Sequence, residues 1–271
     1  MDCDTKYPIM MLHGLAFRDR KHSSYWRRIP EALKARGATI YYGWQDGWGT
    51  IEYNAGVLKE NINNILAETG CEKMNLIAHS KGGLDARCMI SSFEMGDKIA
   101  SLTTISTPHR GCVTIDRLFR MPKWVFRVIA IFVNSLFRLL GDKKPDFYTA
   151  SRQLGAEFMK GFNEHNPDVP GVYYQSYAGV MKKPSSDILL SLPYAIVSRV
   201  EGENDGLVTV SSAEWTNFKG VLRGTTLRGI SHADEIDMRR RNFTKKPSDS
   251  GVTDIREFYI SVVSGLKQMG L

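Results

Sequence analysis

Short apolar and β-branched runs alternate with longer stretches of helical period through the first hundred residues. That rhythm admits few architectures. Tyr7–Leu12, Ala38–Trp44, Lys73–His79 and Ile99–Ser106 read as strands, and Tyr25–Arg36, Glu52–Glu68 and Gly82–Met95 between them read as helices. Parallel strands need a crossover segment, and helices at this spacing supply one, so the pattern predicts a mostly parallel sheet covered by helices. After Ser106 the rhythm breaks. Only helical patterning is legible from Val113 to about Pro170, and strand signals return at Val172–Ala178, Tyr194–Val200 and Thr225–Ile230. Thr253–Met269 reads as a closing amphipathic helix. The expectation is one α/β domain over 1–271 with a helical lid or cap insertion over 113–170, too long for a plain connection.

At 271 residues the chain can bury a full core, and 42% hydrophobic against 24% charged residues is ordinary for a soluble enzyme. The net charge of +7 is the one global oddity, and much of it is local. Between Val113 and Pro145, seven cations (Arg117, Arg120, Lys123, Arg127, Arg138, Lys143, Lys144) face only Asp116 and Asp142. They sit among large apolar residues, which fits an anionic lipid surface better than nucleic acid, for which no binding signature is present. Cys3, Cys71, Cys88 and Cys112 have neither disulfide-framework nor metal-ligand spacing and read as packed thiols. The N-terminus shows no charged region followed by an apolar stretch and a cleavage site. The expectation is a protein that stays inside the cell, leaves by another route, or begins at a mature end. Trp124–Leu140 is apolar but interrupted by Arg127, Asn134 and Arg138, against a membrane span.

The most chemically loaded junction is Met74–His79 followed by Ser80-Lys81-Gly82-Gly83. Strand, sharp turn and helix in that order make a nucleophile elbow, in which a strained turn lifts the serine hydroxyl to the carboxyl edge of the sheet. Small residues must flank such a serine because the strand and helix backbones nearly touch. Ala78 stands where the usual pattern has glycine; Gly82 and Gly83 supply the close approach on the helix side. The bland alternative, a helix N-cap serine, does not use the preceding strand. Acyl transfer from such a serine needs two preorganised N–H donors for the developing oxyanion. One belongs to Lys81, the residue after the nucleophile. The other must come from a loop ending an early strand, and His13-Gly14-Leu15 closes the first strand there, which makes the Leu15 N–H the candidate.

Four segments in this order, Pro8–Leu15, Asn75–Leu84, Ser106–Gly111 (Ser-Thr-Pro-His-Arg-Gly) and Glu203–Val208 (Glu-Asn-Asp-Gly-Leu-Val), resemble the bacterial triacylglycerol lipases of the α/β-hydrolase superfamily. The resemblance spans most of 7–112, returns over about 172–240, and is weak across the insertion and the last thirty residues. It implies the α/β-hydrolase fold and cleavage of carboxylic esters of lipids. In that fold the triad runs Ser, acid, His along the chain. Of the late histidines, His165 lies inside the insertion, while His232 follows a strand signal in the loop where the base belongs. Asp205, in the segment resembling the lipase Asn-Asp-Gly-Leu-Val motif, is the expected acid, with Glu203 as fallback. Its work is to hold one His232 tautomer and stabilise the imidazolium. His79 and His109 read as hydrogen-bonded structural histidines beside the site.

The resemblance also implies a structural Ca²⁺ clamping the histidine loop through two aspartates and backbone carbonyls. Asp234 matches one aspartate, Asp187 is the candidate for the other, and Met238 and Asn242 would offer carbonyls. Against it stand Arg239-Arg240-Arg241, three positive charges where a cation would bind. No organic cofactor is expected. Trp124–Leu140 carries more apolar surface than a solvent-facing helix needs, as a helix covering an acyl cleft and turning to lipid would; the bland reading is a core helix or dimer contact. Two rivals remain on sequence: a soluble-substrate carboxylesterase, thioesterase or acyltransferase, and a non-catalytic binding protein of the same fold.

Overall fold

The computed structural model describes residues 1–19, 25–243 and 252–271. Six strands form one sheet: β1 (Ile9–Leu12), β2 (Ile40–Tyr42), β3 (Met74–His79), β4 (Ile99–Ile105), β5 (Tyr173–Gly179) and β6 (Phe218–Leu222). Their order is β2-β1-β3-β4-β5-β6, and each neighbouring pair is parallel. Helices α1 (Ile29–Lys34), α2 (Ile51–Thr69) and α3 (Gly82–Ser91) make the early crossovers. Helix α2 starts where the Thr50 hydroxyl accepts from Tyr53 N–H at 3.2 Å and stops at Gly70, left-handed at φ 70°.

Side-chain alternation along the strands builds a core on each face. Met10, Leu12, Leu76 and Ala78 face one way into a cluster with α2 and α3. Ile9, Met11, Ile77 and Ile105 face the other way, against α1 and the closing helix, whose apolar Ile255, Tyr259, Ile260 and Val263 complete that layer. Strands apolar on both sides are what a covered parallel sheet requires.

Between β4 and β5 lie α4 (Val113–Leu118), α5 (Lys123–Leu139), α6 (Phe147–Arg152) and α7 (Ala156–His165). They differ in burial. Met159 and Phe162 of α7 join the main core, whereas Phe126 is the one buried residue of α5. After β5 come α8 (Ser191–Val200) and α9 (Val210–Ala213), and α10 (Ile255–Gln268) closes the chain.

Two expected strands are corrected. Tyr194–Val200 lies within α8, because a short apolar run has no period long enough to separate helix from strand. Thr225–Ile230 is irregular, held by an isolated bridge between Met181 and Gly229, and the edge strand is instead Phe218–Leu222, whose Gly220 at φ 123° breaks the strand signature.

The β3–α3 junction fixes how close strand and helix come. A Cβ on Gly82 would lie 2.6 Å from His13 O and 2.7 Å from Leu12 O, both backbone atoms that cannot swing aside. Gly82→Ala should therefore lower the thermal midpoint by several degrees, an overpacking cost of about 1–3 kcal/mol or more. Gly161→Ala on α7, where an added Cβ meets nothing within 4 Å, should leave the midpoint level or raise it. Parallel melting curves of the two variants check the contrast.

Candidate active site

At the carboxyl end of β3, Ser80 adopts φ 55°, the left-handed region that non-glycine residues enter only under constraint. The constraint is visible. Ser80 N–H donates to Ile105 O at 3.0 Å, and Ser80 O accepts from Gly83 N–H at 3.1 Å and from the Thr107 hydroxyl at 2.8 Å. Both backbone groups of Ser80 are thus satisfied, and the side chain is left at the sheet edge. Ala78, in place of the usual glycine, sits in the core with its methyl packed.

The end of β1 comes up beside it. A Cβ on Gly14 would meet Ser80 Cβ at 2.9 Å and lie 3.4 Å from Ser80 Oγ, so the loop leaving β1 touches the serine itself. His13 is pinned by its ring nitrogens to Gly14 O (2.8 Å) and Gln45 O (3.1 Å). Among the described residues, neither Leu15 N–H nor Lys81 N–H has a hydrogen-bond acceptor. Two unspent donors flanking the serine are what an oxyanion hole consists of. The Lys81 side chain is buried and turned away into an ion pair with Asp85 at 2.5 Å, which Asn54 also supports at 3.0 Å.

Asp205 and His232 arrive from the loops after α8 and β6. Asp205 Oδ2 lies 2.7 Å from His232 Nδ1, while Oδ1 accepts from Leu207 N–H (2.9 Å) and Val208 N–H (2.8 Å). His232 N–H also donates to Asp205 O at 2.9 Å. Burial works to raise the Asp205 pKa, but the charge and hydrogen bond of His232 and the two amides hold it below the usual carboxylate range. An ionised Asp205 on Nδ1 fixes the tautomer that leaves Nε2 free to take a proton. The fallback acid Glu203 does not reach this group: it is exposed and paired with Arg223 at 3.0 Å.

A second buried layer lies behind the triad, and only part of it was legible. His79 is fully buried, 2.7 Å from the Tyr25 hydroxyl and 2.8 Å from Glu235 Oε2, with its ring centroid 4.2 Å from that of His232. Glu235 Oε1 accepts from the Ser106 hydroxyl at 2.8 Å. Burial, and then the charge on Asp205, push Glu235 well above the usual carboxylate range. Burial, and then His232, push His79 well below its ordinary value, so it is neutral. Glu235 and Tyr25 escaped the sequence reading; the spacing of Glu235 three residues after His232, one turn away, was the available signal. His79, His232 and Glu235 could together offer ligands within 4.8 Å of one another, but His232 Nδ1 is already engaged by Asp205.

His109, in the Thr-Pro-His-Arg-Gly segment, is structural: its Nε2 lies 3.0 Å from the Thr104 hydroxyl and its ring stacks on Trp215. Burial pushes the Cys88 and Cys112 thiols up to about 12, which removes them as nucleophiles at neutral pH.

Asp187 and Asp234 do come together, each within reach of the Ser231 hydroxyl (3.3 and 2.8 Å). They do not fit the calcium expected from sequence. Arg239 grips both oxygens of Asp187, at 2.7 and 2.8 Å.

The family model described as the alpha/beta hydrolase fold matches residues 7–188. Triacylglycerol lipase 2 of Saccharomyces cerevisiae is 32% identical over 261 residues, covering 91% of this chain and 74% of that protein. A triacylglycerol lipase of Vibrio cholerae is 29% identical, covering 86% of this chain and 80% of its own length. Among solved structures, a Staphylococcus hyicus lipase superposes with a TM-score of 0.68 at 15% identity, over 99% of this chain and 97% of that one. A metagenomic carboxyl esterase reaches 0.73 at 14% identity, over 100% and 78%.

Proposed function

Because the chain belongs to the α/β-hydrolase family, we propose that Ser80, His232 and Asp205 cleave the carboxylic ester bonds of lipids through an acyl-enzyme. The observation that carries this is one edge of the sheet: a serine held left-handed at the end of β3, an ionised Asp205 on His232 Nδ1, and two unspent N–H groups beside the serine. In the first half-reaction Ser80 Oγ attacks the ester carbonyl as His232 Nε2 takes its proton. The oxyanion falls to Leu15 and Lys81 N–H. Collapse expels the alcohol, which receives the proton from the imidazolium. In the second half, water activated by His232 attacks the Ser80 ester and the acid leaves. All the groups required are side chains and amides of this chain.

The lipid preference rests on the curated relatives, named as triacylglycerol lipases, and on α5. One side of α5 is inward: Phe126 is buried, and Phe137 packs on Trp48 with ring centroids 5.9 Å apart. Just past its C-terminus, Asp142 accepts from Gly47 N–H (3.1 Å), Trp48 N–H (2.9 Å) and Arg18 (2.9 Å). Gly47 O in turn accepts from Ala16 N–H, next to Leu15, so α5 is anchored beside the oxyanion loop. Its other side exposes Trp124 (68%), Val128 (60%), Ile131 (70%), Phe132 (72%) and Leu139 (87%). Ile188, Leu189 and Leu192 ahead of and within α8 are exposed likewise. Apolar residues of this number held in water, with Lys123, Arg127 and Arg138 on the same helix, suit an anionic lipid–water boundary. No helix among the described residues is long and apolar enough to cross a membrane.

Replacing Trp124, Val128 and Phe132 by serine should cut hydrolysis of emulsified triglyceride about tenfold or more and change a soluble butyrate ester less than about twofold. Each buried methylene contributes up to about 0.8 kcal/mol, and these residues contribute only when they meet lipid. Phe137 is left in place because its ring packs on Trp48. Equal losses on both substrates, or a preference of the unmodified protein for acetate over longer acyl chains, would replace the lipase reading with a soluble-ester hydrolase.

A further inference from the structure

The loop that carries His232 turns tightly, with Asp234 and Glu235 N–H both donating to Ser231 O and Met238 N–H to Ala233 O. Glu235 ties that loop to His79 and Ser106, and Asp237 ties it to Arg28; on the side facing α8 the tie is Asp187, in the segment ahead of that helix. Arg239 Nε donates to Asp187 Oδ2 and Nη2 to Oδ1, the paired, parallel geometry in which a guanidinium binds a carboxylate most strongly. Leu189 N–H also donates to Oδ1 at 3.1 Å, and the Ser231 hydroxyl lies 3.3 Å from Oδ2. Each Asp187 oxygen therefore has two partners, which fills the roughly four lone-pair sites of a carboxylate. Asp234 Oδ2 is taken by Ser231 N–H (3.0 Å) and the Ser231 hydroxyl, with Arg241 at 3.8 Å. Arg241 also donates to Ser186 O at 3.0 Å.

Two carboxylates thus meet two guanidinium groups, and the local charge is already balanced. Of the four carboxylate oxygens, only Asp234 Oδ1 is buried without a partner among the described residues. One oxygen is far from the 6–8 that calcium requires, and a divalent ion here would sit against two fixed positive charges.

We propose that Arg239 is the resident cation of the histidine loop, closing it onto Asp187 so that the placement of His232 needs no divalent metal. The guanidinium is covalently part of the loop it clamps. It acts through Ser231, the residue before the base, which makes Arg239 a positioning residue. It touches no reacting atom. That His232 is the base is taken from the proposed mechanism; the clamp itself is independent of substrate.

The test uses the full chain, with calcium chloride and a chelator as probes. The melting midpoint of the unmodified protein should be the same in either, and calorimetric titration with calcium should give no saturable heat. Arg239→Gln strands a buried carboxylate, so its midpoint should fall by about 5 °C or more. Its kcat on a soluble ester should fall several-fold at nearly constant KM, since the loss is in placing His232. Arg239→Lys should recover part of both, because it restores the charge without the fork. A midpoint lowered by the chelator, stoichiometric calcium binding, or an Arg239→Gln protein with unchanged midpoint and kcat each overturns the proposal. If Arg239→Gln does not fold, the calcium arms and the Lys variant decide. Those arms read melting and heat, so they stand even if the chain proves inactive on lipid esters.

Discussion

Ser80→Ala should leave the melting curve close to that of the parent and lower kcat on a p-nitrophenyl ester by about 10⁶-fold. The fold survives because the hydrogen bonds of the elbow are made by the Ser80 backbone: its N–H reaches Ile105 O, and its O accepts from Gly83 N–H and Thr107. Alanine keeps all of them, and at φ 55° it bears the same left-handed strain as serine. The rate does not survive because no other group can form the ester. What remains is the contribution of the Leu15 and Lys81 amides and of binding, of order 10³–10⁴ over water in triad enzymes. Stopped assays at high enzyme concentration, set beside thermal melts, separate a chemical loss from a folding loss. Retention of more than a few per cent of the parent rate would mean that the nucleophile lies elsewhere.

The second large effect is at the acid. Asp205→Asn should lower kcat by about 10⁴-fold, because an amide nitrogen facing His232 Nδ1 demands the wrong tautomer and removes the charge that stabilises the imidazolium. Glu203→Gln should change kcat less than about twofold, since Glu203 only meets the exposed Arg223, a contact worth little in water. Steady-state kinetics on a soluble ester check the pair, and an exchange of the two outcomes would move the acid to Glu203.

Much of this site was legible before any coordinates, and the reason is local. An elbow needs a strand, a serine in a forbidden region and small residues after it, all within a few consecutive positions. Met74–Gly83 states that in sequence, and Gly82 turns out to be packed against the backbone of Leu12 and His13. Asp205 and His232, which the fold brings together at 2.7 Å, were picked out by chain order, by the Asn-Asp-Gly-Leu-Val segment and by their places after the two misread strands; the order of elements served even where the element type was wrong. Those failed where local pattern is weakest: Ser191–Val200 is short and apolar enough for either structure, and the β6 edge strand is broken by Gly220. Contacts set by distant parts of the chain left no local trace of which partner each side chain meets. Glu235 meets His79 across 156 positions, and Arg239 meets Asp187 across 52. The sequence pointed to the second through three consecutive arginines; only the fold shows that it is Arg239 that grips Asp187.

If Ser80 is a nucleophile activated by His232, an electrophile that mimics the acyl transition state should capture it covalently. The folded protein is treated with a fluorophosphonate, and the adduct is located by peptide mass spectrometry. One phosphonyl group per chain is expected, on the peptide carrying Ser80, absent from Ser80→Ala and formed far more slowly in Asp205→Asn. A folded parent protein that takes up no label, or a label that persists in Ser80→Ala, would contradict it.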